Sequence, residues 1–453
     1  MNVDVIILAA GQGTRMRSAL PKVLHPIAGK AMLAHVINTA RELNNAQLNI
    51  VVGHGAEQVQ ALDNAGDIQF SLQEEQLGTG HAVQQAVPNL RDDSISIILY
   101  GDVPLIKAST LQKLLEQTAD GSMGLLTAIF DNPMGYGRII RDEQDQVIAN
   151  VEQKDASPEQ LKVQEINTGF MALPTARLKE WLPKLSSDNA QGEYYLTDLI
   201  AMAAESGAGV KAVHPDDYSE VEGVNSRAQL IALERVYQSQ QAQALLADGL
   251  AIMDPARFDL RGVLSHGQDS TVDVNCVFEG SVEIGSNVSI GPNCVVSNSR
   301  LGDGVEIKAN SVLEDAVVES DCIVGPFARL RPGSVLKPGA KVGNFVEMKK
   351  SELGPGSKVN HLSYVGDAEI GENCNIGAGT ITCNYDGANK SKTTMGDNVF
   401  VGSNSTLVAP LDIEAGGFVG AGSTITKKIE TDQLAVGRGK QRNIDGWKRP
   451  SKD

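Results

Sequence analysis

Nowhere in this 453-residue chain is there an apolar run of the roughly eighteen residues that a membrane-spanning helix needs, so membrane insertion is not expected. The opening Met1-Asn2-Val3-Asp4 lacks the basic start of a secretion signal, which makes the cytoplasm the expected compartment. Positive charge is short as well: 39 Lys and Arg face 56 Asp and Glu, a formal net charge of −17. Such a surface excludes broad nucleic-acid binding, although local donors can still hold a small anionic substrate. Aromatic residues make up only 4% of the chain while glycine numbers 46, so tight turns are many and large core side chains few. Cysteine is scarce, odd in number and never spaced C-x-x-C: Cys276, Cys294, Cys322, Cys374 and Cys383. Metal ligation or nucleophilic chemistry therefore has little support, and the expectation is buried thiols in a reducing compartment.

At this length two domains are expected. In the first half, strand-like and helix-like stretches alternate. Residues 3–10 and 95–100 are almost continuous apolar runs, as in parallel strands covered on both faces. Weaker strand candidates lie at 47–52 and 124–130, with helical stretches at 32–43 and 111–118 between them. This order predicts an open, Rossmann-like α/β sheet with ligands at the carboxyl ends of its strands. Residues 227–248 turn rich in Ala, Gln and Leu without Pro or Gly, which predicts a long joining helix. The expected division is thus residues 1–227, a helical linker at 228–248, and residues 249–453.

Beyond Gly249 an aliphatic residue recurs at six-residue steps, often followed by glycine. Ile284-Gly285, Ile290-Gly291 and Val296 begin it; Val324-Gly325, Leu330, Leu336, Val342-Gly343 and Met348 continue it; Val401-Gly402, Leu407, Ile413, Val419-Gly420 and Ile425 end it. This is a hexapeptide repeat, in which three short strands make one triangular coil of a parallel β-helix. The aliphatic residue points inward and stacks on its counterpart one coil later, about eighteen residues on. Between Thr382 and Met395 the step lengthens to thirteen, so residues 383–390 are expected to project as a loop.

The chemistry of the first half begins where its first apolar run ends, at Gly11-Gln12-Gly13-Thr14-Arg15-Met16, followed by Leu20-Pro21-Lys22. Glycines there let backbone N–H groups approach a phosphate closely. The third glycine of the dinucleotide fingerprint is missing and no G-x-x-x-x-G-K-[ST] occurs, so neither a dehydrogenase nor a P-loop enzyme is supported. Asp102 closes the second apolar run, placed either to hold a divalent cation on phosphate oxygens or to cap a turn. The whole run L-A-A-G-x-G-T-R-M with P-K after it resembles the signature of the sugar-nucleotide pyrophosphorylases. That resemblance implies that Leu8, Ala9, Ala10, Gly11 and Gly13 line the nucleotide site, and that Arg15 and Lys22 carry the catalytic charge. It further implies that Gln73, Gly78 and Thr79 meet uracil, and that Tyr100, Gly101 and Asp102 floor the site. Gly137, Glu152 and Asn167 would contact N-acetylglucosamine, and Asp102 with Asn225 would hold Mg2+. No nucleophilic side chain is expected, because phosphoryl transfer needs positioning and charge neutralisation.

A β-helix can be a passive trimerisation stalk, so its chemistry needs separate grounds. Arg331 and Lys349 are eighteen residues apart, one above the other, a natural phosphate clamp. His361 follows around an adjacent edge and has the chemistry of a general base for an amine. Together the two halves resemble the bacterial bifunctional N-acetylglucosamine-1-phosphate uridyltransferases over essentially the whole chain. The resemblance implies that Arg331, Lys349, Tyr364, Asn375 and Lys390 bind glucosamine-1-phosphate. Ala378, Asn384, Tyr385, Ser403, Ala421 and Arg438 would contact acetyl-CoA, with His361 catalytic. It also implies a left-handed coil, UTP and acetyl-CoA as co-substrates, homotrimers, and UDP-N-acetylglucosamine made for peptidoglycan and lipopolysaccharide precursors. A pyrophosphorylase whose β-helix only oligomerises, and a non-enzymatic scaffold, are the competing readings. His361 beside Tyr364 and the loop at 384–390 speak against the first, and the phosphate cradle against the second.

Overall fold

A computed structural model describes residues 1–63 and 65–450. It divides into two compact units, Met1–Tyr237 and Gln238–Asp453.

The first unit is built on a nine-stranded sheet. Its main path runs Val210–Val213, Met123–Ile129, Glu165–Pro174, Ser94–Tyr100, Asn2–Ala9, Ala46–Val52, Ile68–Leu72. Asn2–Ala9 pairs in parallel with both Ala46–Val52 and Ser94–Tyr100, while Glu165–Pro174 runs antiparallel to its neighbours. The first strand shows why its sequence is a continuous apolar run. Val3, Val5, Ile7 and Ala9 enter the core on one face of the sheet, and Ile6, Leu8 and Ala10 the core on the other. Each such aliphatic side chain taken fully out of water stabilises the fold by about 1.5–3 kcal/mol. Asp4, the one charge in the run, is wholly buried and is held by Arg91 at 2.7 Å and by the Ser94 hydroxyl at 2.6 Å. From the first strand the chain moves outward to Ala46–Val52 and Ile68–Leu72, then returns to the opposite side at Ser94–Tyr100. That reversal opens a crevice at the carboxyl ends of the two central strands, where residues 10–13 and 101–102 lie.

The helix Arg227–Ala247 crosses the division between the units. Leu230 and Leu233 pack with Met16, Ile27 and Met32 in the first unit. Ala242 joins the core of the second, where buried Gln238 donates to Leu260 O at 2.9 Å and accepts from Leu260 N at 2.8 Å.

The second unit is a parallel β-helix. Three inward columns run along it, one per face. Ile290, Ile307, Val324, Val342, Val359, Ile376, Val401 and Val419 are in strict register on the first face. Val296, Leu313, Leu330, Met348 and Val365 form the second. Leu301, Val318, Leu336, Leu353, Ile370, Met395 and Ile413 form the third. The sequence pattern suggested a uniform coil of about eighteen residues; Ile290 to Ile307 and Val342 to Val359 take seventeen. A corner turn one residue shorter absorbs the difference while the inward stack is kept. Corner asparagines adopt left-handed backbone, and Asn275, Asn293 and Asn310 are joined by side-chain hydrogen bonds of 3.0 and 3.2 Å. All five cysteines are free thiols, four of them buried and Cys383 half-buried. Residues 385–390 project from the coil as an exposed loop closed by a Tyr385–Lys390 bridge. Among the described residues no helix is long and apolar enough to cross a membrane.

Candidate active sites

In the first unit a cavity of about 340 Å³ opens at the switch point of the sheet. Leu8, Ala9, Ala10, Gly11, Lys22, Gln73, Gly78, Thr79, Tyr100 and Asp102, all expected from the sequence, line it. A second cavity of about 310 Å³ shares Tyr100 and Asp102 as its wall and adds Arg15 and Asn225. Lys22 stands between them. Its ammonium pairs with Asp102 Oδ2 and donates to Asn225 Oδ1 at 3.1 Å, bringing together residues 80 and 203 positions away. Gly13 is required here twice over: its φ is +60°, and a Cβ would stand 2.6 Å from that of Lys22. Gly101 packs closely on Val23 and Leu33.

Gly137, Glu152 and Asn167 line neither cavity; Gly137 bonds to Asn167 and packs against the Asn150 amide, which in turn bonds to Glu152. Asn167 N donates to Gly137 O at 3.0 Å, and Asn167 Oδ1 accepts from Gly169 N at 2.9 Å. Glu152 Oε1 accepts from Asn150 Nδ2 at 2.9 Å and from the Thr197 hydroxyl at 3.2 Å. Burial first, and then the charges of Asp102 and Glu152, push the Tyr100 phenol far above its ordinary pKa, so it stays neutral. Tyr136 and Thr168, next in sequence to Gly137 and Asn167, line the second cavity, and Glu193 lines the first. Sequence reading missed Glu193 and Thr197, because a loop delivers them without a local motif.

Asp102 and Asn225 turn oxygens on one point, and a cation, the Lys22 ammonium, already meets them there. Hard oxygen donors of this kind suit Mg2+, which takes few protein ligands and leaves the rest of its shell to water and substrate phosphate. The donor set therefore fits the ion.

In the second unit, Arg331 and Lys349 stand on successive coils, with Arg331 N bonded to Met348 O at 2.9 Å. Arg331 Nη1 donates to Glu347 at 2.8 Å, a partner that the sequence pattern did not single out. Lys349 faces Lys390 and Arg331, whose positive charges, Lys390 foremost, lower its pKa. Lys390 belongs to the projecting loop, so the loop brings a third cation to the pair. Tyr364 lies in register with Glu347 on the same face. Asn375 is on the neighbouring face, in register with Lys358 and Phe400.

His361 is exposed, and Nδ1 lies 2.8 Å from Asn344 Oδ1 one coil below. The amide oxygen only accepts, so the ring proton sits on Nδ1 and the Nε2 lone pair is left for a substrate. Asn344 also escaped the sequence reading, although its stacking on His361 is set by the coil register.

Ala378, Ser403 and Ala421 occupy the same corner in successive coils, two residues past the registered Ile376, Val401 and Val419. Arg438 Nη1 donates to Ala421 O at 2.8 Å and so ends that row. Cys383 ends a strand and Asn384 is buried at the foot of the loop, so only 385–390 of the expected 383–390 project; there the Asp386 carboxylate holds the turn by accepting from Ala388 N at 2.8 Å and Asn389 N at 2.6 Å.

Residues 5–163 match the MobA-like NTP transferase domain, residues 261–342 the GMPPB C-terminal domain, and residues 392–427 the hexapeptide repeat of succinyl-transferase. The hexapeptide match marks a left-handed β-helix, which the all-parallel sheets fit. The bifunctional protein GlmU of Marinobacter nauticus is 57% identical over 450 residues, covering 99% of this chain and 99% of that protein. That of Pseudomonas putida strain GB-1 is 58% identical over 452 residues, covering 100% and 99%. That of Stutzerimonas stutzeri is 58% identical over 452 residues, covering 100% of both. With both halves matched end to end at this identity, the chain belongs to the family of bifunctional GlmU proteins.

Proposed function

We propose that the chain acetylates glucosamine-1-phosphate with acetyl-CoA at the β-helix and then transfers uridylyl from UTP to N-acetylglucosamine-1-phosphate at the α/β unit. The products of the second step are UDP-N-acetylglucosamine, a precursor for peptidoglycan and lipopolysaccharide, and pyrophosphate. The observation that carries this reading is the presence on one chain of two differently equipped sites. One is a nucleotide-sized cavity lined by Lys22 and Asp102, with Lys22 also bonded to Asn225; the other lies on the β-helix, which carries His361 with its Nε2 lone pair available and a cluster of three cations, Arg331, Lys349 and Lys390. Working as a cytoplasmic homotrimer belongs to the same reading.

In the uridylyl step a phosphate oxygen of the sugar phosphate attacks the α-phosphorus of UTP, a P–O bond forms, and the bond to the β-phosphate oxygen breaks. Lys22 and Arg15 offset the negative charge gathering on the phosphates, and Gly11 and Gly13 let the backbone close on them. Asp102 and Asn225 would hold Mg2+, which when bound neutralises phosphate charge. Gly137, Glu152 and Asn167 orient the sugar. In the acetyl step the amine attacks the thioester carbonyl, and His361 Nε2 takes the amine proton. The C–S bond breaks and the thiolate of CoA leaves, the proton passing to it. Arg331, Lys349 and Lys390 hold the sugar phosphate, with Tyr364 and Asn375 beside them. Ala378, Asn384, Tyr385, Ser403, Ala421 and Arg438 receive acetyl-CoA.

Thiol release from acetyl-CoA in the presence of glucosamine-1-phosphate tests the acetyl half. No release above background would leave a protein with uridylyl activity alone. Within that assay Lys349→Ala is expected to raise KM for glucosamine-1-phosphate about tenfold, the weight of one charge-assisted hydrogen bond. Because neighbouring cations lower the Lys349 pKa, the wild-type KM should also climb earlier on the alkaline side than for an isolated lysine. Lys349 loses its charge there, and Lys349→Ala should flatten that limb of the pH profile.

A further inference from the structure

We infer that His81 fixes the orientation of the Gln73 amide and thereby makes the nucleotide cavity select uracil over cytosine. The inference rests on the uridylyl reading of that cavity. Gln73 directly follows the strand Ile68–Leu72, its backbone N bonded to Val52 O at 2.8 Å, and the residue is only 4% exposed. Its side chain lines the cavity with Gly11, Thr79 and Ala82. Gln73 Nε2 donates to Gly78 O at 3.2 Å and lies 3.1 Å from His81 Nδ1. A carbonyl oxygen only accepts, so the amino end of the amide must face Gly78. Its second N–H then points at His81 Nδ1, which accepts it with the ring proton on Nε2.

Both N–H groups are thereby engaged, and Oε1 is left as the amide's available group. Uracil carries a hydrogen on N3 and meets that oxygen as a donor. Cytosine has a lone pair at N3, which would face the lone pairs of Oε1. A site that must leave a buried polar group unpaired for the wrong ligand discriminates strongly. With Gly78 alone, one long hydrogen bond would hold the amide against turning over; His81 adds the second.

His81 is itself held. It lies on the helix Thr79–Ala86, whose start is tied to the loop around Tyr194 by Gly80 N to Tyr194 O and Tyr194 N to Leu77 O, both 2.8 Å. A Cβ on Gly80 would stand 2.5 Å from Leu185 Cδ1, so the helix start sits tight against that loop. Gln85 Nε2 donates to His81 O at 3.0 Å. His81 is thus a positioning residue, acting on the base through Gln73.

The test is the ratio of kcat/KM for UTP to that for CTP, read as pyrophosphate release with N-acetylglucosamine-1-phosphate and the full-length protein. His81→Ala should lower the ratio about tenfold, the weight of one hydrogen bond, and His81→Asn, whose amide oxygen can accept in the same place, should restore most of it. His81→Leu keeps the bulk without the acceptor and carries the test if the alanine variant does not fold. A purely structural role would depress UTP and CTP turnover together, and an unchanged ratio in an active variant overturns the inference alone. If the wild-type protein releases no UTP-dependent pyrophosphate, the uridylyl reading fails and this inference with it.

Discussion

Asp102→Ala is expected to lower kcat/KM for uridylyl transfer by about three orders of magnitude, about 4 kcal/mol of transition-state stabilisation, while acetyl transfer stays at the wild-type rate. The size follows from what one carboxylate does in the cavity. It pairs with the Lys22 ammonium, and with Asn225 it supplies the oxygens suited to Mg2+. Its removal frees Lys22 to turn away from the phosphates and leaves Asn225 as a lone donor. Charge stabilisation at preorganised groups is commonly the largest part of such catalysis. The fold should survive, because the structural bond at this position runs through the backbone, Val224 N to Asp102 O at 3.0 Å. Separate assays of pyrophosphate release and of thiol release on the same preparation check the prediction.

His361→Ala should do the reverse, lowering kcat for acetyl transfer between about 10²- and 10⁴-fold, the range for loss of a general base, with uridylyl transfer unaffected. The imidazole is exposed and, among the described residues, its ring is bonded to Asn344 at 2.8 Å. Its loss should therefore cost stability no more than about 0.5 kcal/mol. Binding of glucosamine-1-phosphate should persist, because Arg331, Lys349 and Lys390 are untouched.

Much of the fold was legible because burial imposes patterns. A strand covered on both faces must be apolar throughout, as residues 3–10 are, and a column of stacked side chains must repeat an aliphatic residue once per face. The coil spacing was legible only approximately, since a corner can shed one residue without disturbing the stack. Gly11 to Lys22 and Asp102 were legible because they sit where central strands end. Asn225 could be named from resemblance, but its meeting with Lys22 spans 203 residues and exists only in the folded chain. Glu193 and Thr197 reach the site through a loop with no periodicity. Glu347 beside Arg331 and Asn344 beneath His361 follow from register, which needs the true coil length to be counted.

The central claim is that two chemically independent sites act in sequence on one chain. Asp102→Ala and His361→Ala proteins, each severely slowed in making UDP-N-acetylglucosamine from glucosamine-1-phosphate, acetyl-CoA and UTP, should recover that synthesis when mixed, the acetylated sugar phosphate passing from one to the other through solution. A mixture that stays as slow although each variant keeps its own half-reaction, or a folded single variant that loses both half-reactions, would contradict it.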